Sequence, residues 1–167
     1  MASKHQRPIV DLPDGKPYKV GIVISQWNSK ITSLLLEGAK ETLTKAGVLP
    51  DNIEELSVPG SFELPWGARQ LMKADKKDAI ICIGCIVQGE TKHDEYIAQA
   101  VANGIMQLSL TSGVPIVFGV LTTKSYEQAM DRAGGVCGNK GSEAAVTALQ
   151  CAIIKSGDKS VKKKIGF

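Results

Sequence analysis

Apolar residues along this chain fall into short segments and into longer stretches with helical spacing, and the two kinds alternate. Residues 18–24, 53–58, 79–83 and 115–121 are the predicted strands. The third is apolar throughout, as expected of a strand covered on both faces of a parallel sheet. The stretches between and after them carry apolar residues three or four positions apart, which indicates one face of a helix. The order β-α-β-α-β-α-β-α-α predicts an α/β fold, a single-domain three-layer α/β/α sandwich around a four-stranded parallel sheet.

Local signals mark where the predicted helices begin and end. Asn28 or Ser29 is suited to cap the first helix, and Pro65 to open the second as its first residue. Gly113 is placed as the C-terminal stop of the third helix. Residues 125–128 (Ser-Tyr-Glu-Gln) match a capping box at the start of the fourth.

The third predicted strand leads into a polar segment that ends in a histidine. We interpret residues 84–93 (Gly-Cys-Ile-Val-Gln-Gly-Glu-Thr-Lys-His) as a loop loosened by glycine at the edge of an active site. Open parallel sheets bind their ligands at the carboxyl ends of the strands. Glu90, Thr91 and His93 are therefore placed where backbone N–H groups and a helix N-terminus favour an anion.

The first two predicted strands also end in residues suited to binding. Trp27 follows the first strand, and Phe62 and Glu63 follow the second. A tryptophan at such a position is either a core residue or an exposed stacking platform, and composition alone leaves both open. The convergence of an aromatic ring, glycine-exposed backbone and a histidine favours a planar heterocycle that bears a phosphate or a reacting amine.

Two cations lie further along the chain in a glycine-rich link between helices. Arg132 and Lys140 belong to residues 131–141, which we expect to be flexible. A guanidinium binds phosphate with two parallel hydrogen bonds, which a lysine cannot copy. The alternative is a helix C-terminus with an arginine that complements the dipole, followed by glycine caps. The glycines fit neither a Walker A motif nor a G-x-G-x-x-G motif, so mononucleotide binding by either route is poorly supported.

Composition and charge exclude several classes of protein. The formal net charge is +3 over 167 residues, with no arginine-rich stripe, so we expect no nucleic-acid partner. No segment is long and apolar enough to span a bilayer, and the N-terminus lacks the apolar run of a signal peptide. We therefore expect a cytoplasmic protein. Cys82 and Cys85 form a C-x-x-C pair without a second one, so we interpret these and the remaining two cysteines, Cys137 and Cys151, as reduced, buried thiols.

The predicted layer structure does not use the whole chain. Residues 1–17, with three prolines, are predicted to form an extended N-terminal arm, and residues 18–155 the folded domain. Residues 156–167 form a basic C-terminal tail, for which solvation is a simpler explanation than binding.

Several motifs, taken together, resemble those of the 6,7-dimethyl-8-ribityllumazine synthase family. They are residues 27–28 (WN), 58–63 (VPGSFE), 89–93 (GETKH), 113–122 (GVPIVFGVLT), 128–134 (QAMDRAG) and 138–141 (GNKG). The resemblance covers about residues 18–155 in family order, without a large insertion. One position differs, since members of the family usually carry an aromatic residue directly after the histidine and this chain has Asp94.

The resemblance implies a flavodoxin-like fold and the penultimate step of riboflavin biosynthesis. In that step 5-amino-6-(D-ribitylamino)uracil and 3,4-dihydroxy-2-butanone 4-phosphate condense to 6,7-dimethyl-8-ribityllumazine, with release of phosphate and water. No metal, nucleotide or flavin cofactor is implied. The resemblance does imply a homopentamer, a possible shell of twelve pentamers, and riboflavin synthase as a candidate partner. Two alternatives from other classes are a flavin-binding module without chemistry and a shell-forming protein whose site is vestigial.

The resemblance also assigns roles to individual residues. His93 matches the residue that transfers protons, and Glu90, Thr91 and Arg132 match the binding site of the butanone phosphate. The binding site of the pyrimidine and its ribityl chain is matched by Trp27, Ser61, Phe62, Glu63, Cys85, Ile86, Val87, Phe118 and Lys140. In the family, the positions of Phe118, Arg132 and Lys140 come from the neighbouring subunit. These matches imply that an isolated monomer is inactive.

Overall fold

The computed structural model describes residues 11–157, and a parallel sheet forms its centre. The strands are β1 (Val20–Ser25), β2 (Ile53–Val58), β3 (Ala79–Val87) and β4 (Ile116–Thr123). They are hydrogen-bonded in the order β2-β1-β3-β4, and every neighbouring pair is parallel. β4 is therefore an edge strand, and β3 is buried between two others along nearly all its length. The predicted four-stranded parallel sheet is confirmed.

Helices cover both faces of this sheet. They are α1 (Ser29–Lys45), α2 (Leu64–Ala74), α3 (His93–Ser112), α4 (Tyr126–Arg132) and α5 (Lys140–Ser156), with short 3₁₀ helices at Pro50–Asn52 and Ser61–Glu63. Apolar side chains of α1 and α5 pack with β1 and β3 in one core cluster, and those of α2 and α3 pack on the opposite face in a second. The fold is the predicted three-layer α/β/α sandwich of flavodoxin-like type.

The first two helices begin close to the predicted positions, but their start signals act differently. Asn28 precedes α1, yet its side chain makes no capping hydrogen bond and its backbone is left-handed, with φ 59° and ψ 42°. Leu64 is the first residue of α2, so Pro65 occupies the second position. Proline is accepted there because the first turn of a helix needs no N–H donor.

The signals around α3 and α4 agree more closely with the predictions made from the sequence. Gly113 ends α3 with a left-handed backbone, at φ 69°. Ser125 caps α4, since its Oγ accepts a hydrogen bond from the backbone N–H of Gln128 at 3.3 Å. The side chain of Gln128 in turn accepts from the N–H of Lys124 at 3.0 Å, one residue earlier than a capping box requires.

The interpretation of residues 84–87 as loop is wrong, because β3 continues through them to Val87. Gly84 serves close packing there. A Cβ on Gly84 would lie 2.6 Å from Oγ of Ser61 and 2.9 Å from a methyl group of Leu64. A side chain at this position would thus push the Ser61–Glu63 turn away from the sheet.

The link between α4 and α5 is more ordered than predicted. It forms a small antiparallel hairpin of β5 (Ala133–Gly135) and β6 (Gly138–Asn139). The side chain of Asn139 donates to the carbonyl of Leu34 on α1 at 2.8 Å and accepts from the N–H of Gly141 at 2.8 Å. One asparagine thus caps α5 and fastens the hairpin to α1.

The ends of the chain are described only in part. Residues 11–17 contain no helix or strand, whereas the rest of the predicted arm (1–10) and most of the predicted basic tail (158–167) lie outside the described residues. The division at residues 17 and 155 stays a prediction. Within the described part, no helix is long and apolar enough to cross a membrane.

Candidate active site

The carboxyl edge of the sheet is tied together by hydrogen bonds between the ends of neighbouring strands. The N–H of Gln26 donates to the carbonyl of Val58 at 2.8 Å, and that of Trp27 to the carbonyl of Pro59 at 3.1 Å. The N–H of Gln88 donates to the carbonyl of Thr123 at 2.8 Å. Because these bonds continue the ladders past the strands, the loops that carry the predicted site residues start from fixed positions.

Two aromatic rings at this edge are exposed to solvent. Trp27 is 73% exposed and Phe62 is 60% exposed. Large apolar side chains are normally withdrawn from water, so exposed rings at a ligand-binding edge are candidates for contact with a ligand. The core alternative for Trp27 is excluded by its exposure.

The turn after β2 places one polar side chain inwards and one at the surface of the edge. The hydroxyl of Ser61 is buried and has no hydrogen-bond partner among residues 11–157. Glu63 is partly exposed, and one of its carboxylate oxygens accepts from the N–H of Gly60 at 2.9 Å. In this conformation, then, the Ser61 hydroxyl faces the protein and the Glu63 carboxylate stabilises its own turn.

At the end of β3, backbone groups rather than side chains are available to a ligand. Cys85 and Ile86 are buried, and Val87 is partly buried. The carbonyl of Cys85 already accepts from the side chain of Asn28 at 2.9 Å. A ligand would meet mainly the remaining peptide groups at the end of this strand.

The cysteines are free thiols, and burial keeps the inner two protonated. Burial raises the pKa of Cys82 to about 12 and that of Cys85 to about 11, so neither is a thiolate at neutral pH. Cys137 and Cys151 are only partly buried, so the prediction of buried thiols holds for two of the four cysteines. Burial also raises the pKa of Cys151.

His93 is the first residue of α3, and it is exposed together with Glu90 and Thr91. Asp94 and Glu95 follow in the first turn. Carboxylates in this turn complement the helix dipole, but they also repel an incoming phosphate. An additional cation would offset this repulsion and strengthen binding of a phosphate at this position.

The cations named in the sequence lie along the edge strand. A groove of about 810 Å³ runs beside β4 between α3 and α5, and its lining includes Phe118, Arg132 and Lys140. Phe118 is 41% exposed there. Lys140 pairs with Glu143 at 2.6 Å, and Arg132 donates to the carbonyl of Gln128 at 2.9 Å.

One chain thus separates the predicted site residues into two groups. The front group follows β1, β2 and β3 and comprises Trp27, Ser61, Phe62, Glu63, Cys85, Ile86, Val87, Glu90, Thr91 and His93. The edge group comprises Phe118, Arg132 and Lys140. Trp27, Phe62 and His93 are not among the residues that line the groove of the edge group. No residue of the front group lines this groove within the described part of the chain.

Sequence reasoning missed a second hollow, of about 640 Å³, at the carboxyl end of β4. Arg132 of the edge group lines it together with Ile86 of the front group, so the two groups meet within one chain at this point. The other lining residues include Gln88, Asp94, Thr123 and Lys124. The polar residues that follow the fourth predicted strand were the available signal, since that strand had to end at the same edge as the others. Within residues 11–157, no group of three or more histidine, cysteine or acidic side chains is arranged to hold a metal ion.

Comparison with known proteins identifies the family. A family model described as 6,7-dimethyl-8-ribityllumazine synthase matches residues 17–156. The chain belongs to this family.

Curated relatives with the same name are close to this chain in sequence. The protein from Parabacteroides distasonis is 50% identical over 139 residues, which are 83% of this chain and 87% of the relative. The proteins from Bacteroides fragilis and Porphyromonas gingivalis are each 50% identical, over 79% and 84% of this chain and over 92% and 88% of their own lengths. The residues matched by the family model, 17–156, include both the front group and the edge group.

Proposed function

We propose that this chain is a lumazine synthase, a transferase that acts in riboflavin biosynthesis. It condenses 5-amino-6-(D-ribitylamino)uracil with 3,4-dihydroxy-2-butanone 4-phosphate to 6,7-dimethyl-8-ribityllumazine and releases phosphate and water. The family match over residues 17–156 carries this conclusion. The exposed rings and the histidine at the carboxyl edge of the sheet provide side chains suited to the reaction.

In this proposal the front group binds the pyrimidine and starts the chemistry. Trp27 stacks on the heterocycle, while Phe62, Glu63 and the peptide groups of residues 85–87 bind its edges and the ribityl chain. Glu90 and Thr91 lie at the phosphate of the second substrate. His93 transfers protons while the ring amine attacks the ketone and water departs, a contribution of typically about 10²–10⁴-fold.

Most of the rate enhancement is assigned to holding the two substrates together. Amines and ketones condense without a strong catalyst, and effective molarities of well-oriented groups reach ~10⁵ M or more. Loss of the proton shuttle should therefore reduce turnover without abolishing it. The phosphate leaves as an anion, for which the guanidinium of Arg132 is the best-suited cation in the two groups.

The edge group completes the site of a second copy. We assign Phe118, Arg132 and Lys140 to the front group of a neighbouring chain, because all three line a groove that no front-group residue lines within residues 11–157. Heterologous contacts that close by rotation form rings. The resemblance to the family implies that this ring is a homopentamer, and we expect it in the cytoplasm. The short link from Arg132 to Lys140 favours further assembly of twelve pentamers into a shell, with riboflavin synthase as a candidate partner.

The deciding experiment mixes the purified protein with both substrates and follows lumazine absorbance. Appearance of the product supports the enzyme, whereas a protein that binds flavin as purified but forms no lumazine is the non-catalytic module. Light scattering on the same sample tests the assembly. A mass near five chains rules out the shell, and an active monomer contradicts the shared site.

A further inference from the structure

We propose that Asn28 is a positioning residue that fixes Trp27 for stacking on the pyrimidine. This inference rests on the proposed function and extends it to a residue that has no binding or catalytic role in that proposal. Among residues 11–157, Asn28 is the one non-glycine residue with a positive φ, at 59°. Asparagine enters the left-handed region more readily than most residues, because its short amide side chain bonds locally.

The side chain of Asn28 does not do what its position predicts. An asparagine that precedes a helix normally accepts a hydrogen bond from a backbone N–H of the first turn, yet this one makes no such bond. Its Nδ2 instead donates to the carbonyl of Cys85 at 2.9 Å, across 57 positions of sequence. The left-handed backbone of Asn28 therefore goes with a side chain that bonds to the end of β3 instead of capping α1.

That bond matters for Trp27 because residues 11–157 leave most of its ring uncovered. The indole is 73% exposed. Its backbone is held on one side by the bond from its N–H to the carbonyl of Pro59 at 3.1 Å, after β2. On the other side the next residue is held by Cys85, on the buried strand β3. A ring whose backbone is fixed before the ligand arrives loses less entropy on binding.

Two substitutions remove the bond in different ways. Asn28→Gly keeps the left-handed backbone and removes the side chain. Asn28→Asp keeps the size and tolerates the backbone, but its carboxylate faces the carbonyl of Cys85 with an acceptor instead of a donor. Ser29→Gly is the matched control, since it adds a glycine beside Asn28 and leaves the bond to Cys85 intact.

The first test measures the KM of each substrate in a double-mutant cycle that combines changes at Asn28 with Trp27→Ala. Asn28→Gly and Asn28→Asp should raise the pyrimidine KM by about five- to twentyfold, with kcat and the butanone phosphate KM changed by less than about twofold. In a Trp27→Ala background, Asn28→Gly should add less than about twofold, because the residue it positions is gone. An equal increase in both backgrounds, or a normal pyrimidine KM in Asn28→Asp, overturns the inference.

The second readout does not depend on turnover. The chain contains two tryptophans, so Trp66→Phe leaves Trp27 as the sole indole reporter. Its fluorescence anisotropy should fall in Asn28→Gly and stay unchanged in Ser29→Gly, and an unchanged value in Asn28→Gly contradicts the inference. Absence of lumazine formation by the wild-type protein would instead contradict the proposed function, so the two failures are distinguishable.

Discussion

The two ends of the central sheet differ in how their polar groups are satisfied. At the amino end, Lys77 is only 3% exposed, and its ammonium pairs with Glu54 at 2.6 Å. Lys19 pairs with Asp75 at 2.9 Å, and Lys155 donates to the carbonyl of Lys77 at 3.0 Å. This end is closed by charges that compensate one another within the chain.

The carboxyl end of the same sheet is left open. Trp27 and Phe62 expose their rings there, and His93 is exposed as well. Exposed side chains contribute little to folding but remain available to a ligand. Substitutions at the amino end should therefore change stability, and those at the carboxyl end should change catalysis.

The largest expected effect is at the carboxyl end. His93→Ala should lower turnover by roughly ten- to thousandfold and leave measurable activity, since orientation of the substrates survives loss of the proton shuttle. Single-turnover kinetics measure the chemical step directly. Gln99→Ala, an exposed change on the same helix, is the control, and an unchanged chemical step in His93→Ala would remove this histidine from the mechanism.

The matching test at the amino end is Lys77→Met. Removing the buried ammonium breaks its ion pair with Glu54 and its hydrogen bond to the carbonyl of Asp75, so we expect a loss of about 1–3 kcal/mol in the free energy of unfolding. Turnover per folded protein should stay the same. Urea unfolding measures the loss, and Lys73→Met, on an exposed lysine of α2, should show almost none. A stable Lys77→Met variant with reduced turnover would reverse the proposed contrast between the two ends.

Trp27→Ala should reduce affinity without reducing stability. We expect pyrimidine and riboflavin binding to weaken by on the order of 1–2 kcal/mol, with little change in melting temperature, because the ring is exposed in the free protein. Trp66→Ala truncates another exposed indole and is the control. Calorimetric titration and thermal melting separate the two effects, and unaltered affinity would leave Trp27 without a binding role.

Arg132→Lys should affect one substrate more than the other. The charge remains but the planar fork is lost, so the KM of the butanone phosphate should rise by about tenfold and that of the pyrimidine by much less. Arg69→Lys, on the exposed surface of α2, is the control. Steady-state kinetics with each substrate varied in turn make the comparison, and equal changes in both would argue against a phosphate contact.

The smallest expected effect concerns pH at the amino end. The hydrogen bond from Lys19 lowers the pKa of Asp75 below its ordinary value of 3.8, and that same bond raises the pKa of Lys19 above 10.5. The stabilisation from this pair is present above the ordinary carboxyl pKa and lost as pH falls through the lowered value. It is likewise lost as pH rises through the raised lysine pKa.

Both side chains are about half exposed, so the effect should be small. Denaturant unfolding of Asp75→Asn and the wild type should differ slightly near neutral pH and converge at both extremes. Asp51→Asn, on an exposed carboxylate in the Pro50–Asn52 turn, is the control. A difference that persists at pH 2 would show that the pair is not its source.

Sequence alone determined the order of the elements and which residues follow the first three strands. The apolar run of β3 requires a strand buried on both faces, and parallel strands bring Trp27, Phe62 and His93 to a common edge. These inferences depend on side-chain polarity and on chain direction, which local pattern records. Local pattern also located the C-terminal end of α3 and the start of α4. Gly113 and Ser125 mark these positions through their own backbone or through contacts with nearby residues.

Tertiary structure decided what depends on contacts between distant segments. The extension of β3 through Gly84 follows from the approach of Ser61 and Leu64, and the bond from Asn28 to Cys85 replaces a local cap. Nor does local pattern record which strand lies at an edge. That choice places Phe118, Arg132 and Lys140 along a groove beside β4 that no front-group residue lines. Periodicity reports which side of an element is buried, whereas packing between elements sets what each side faces.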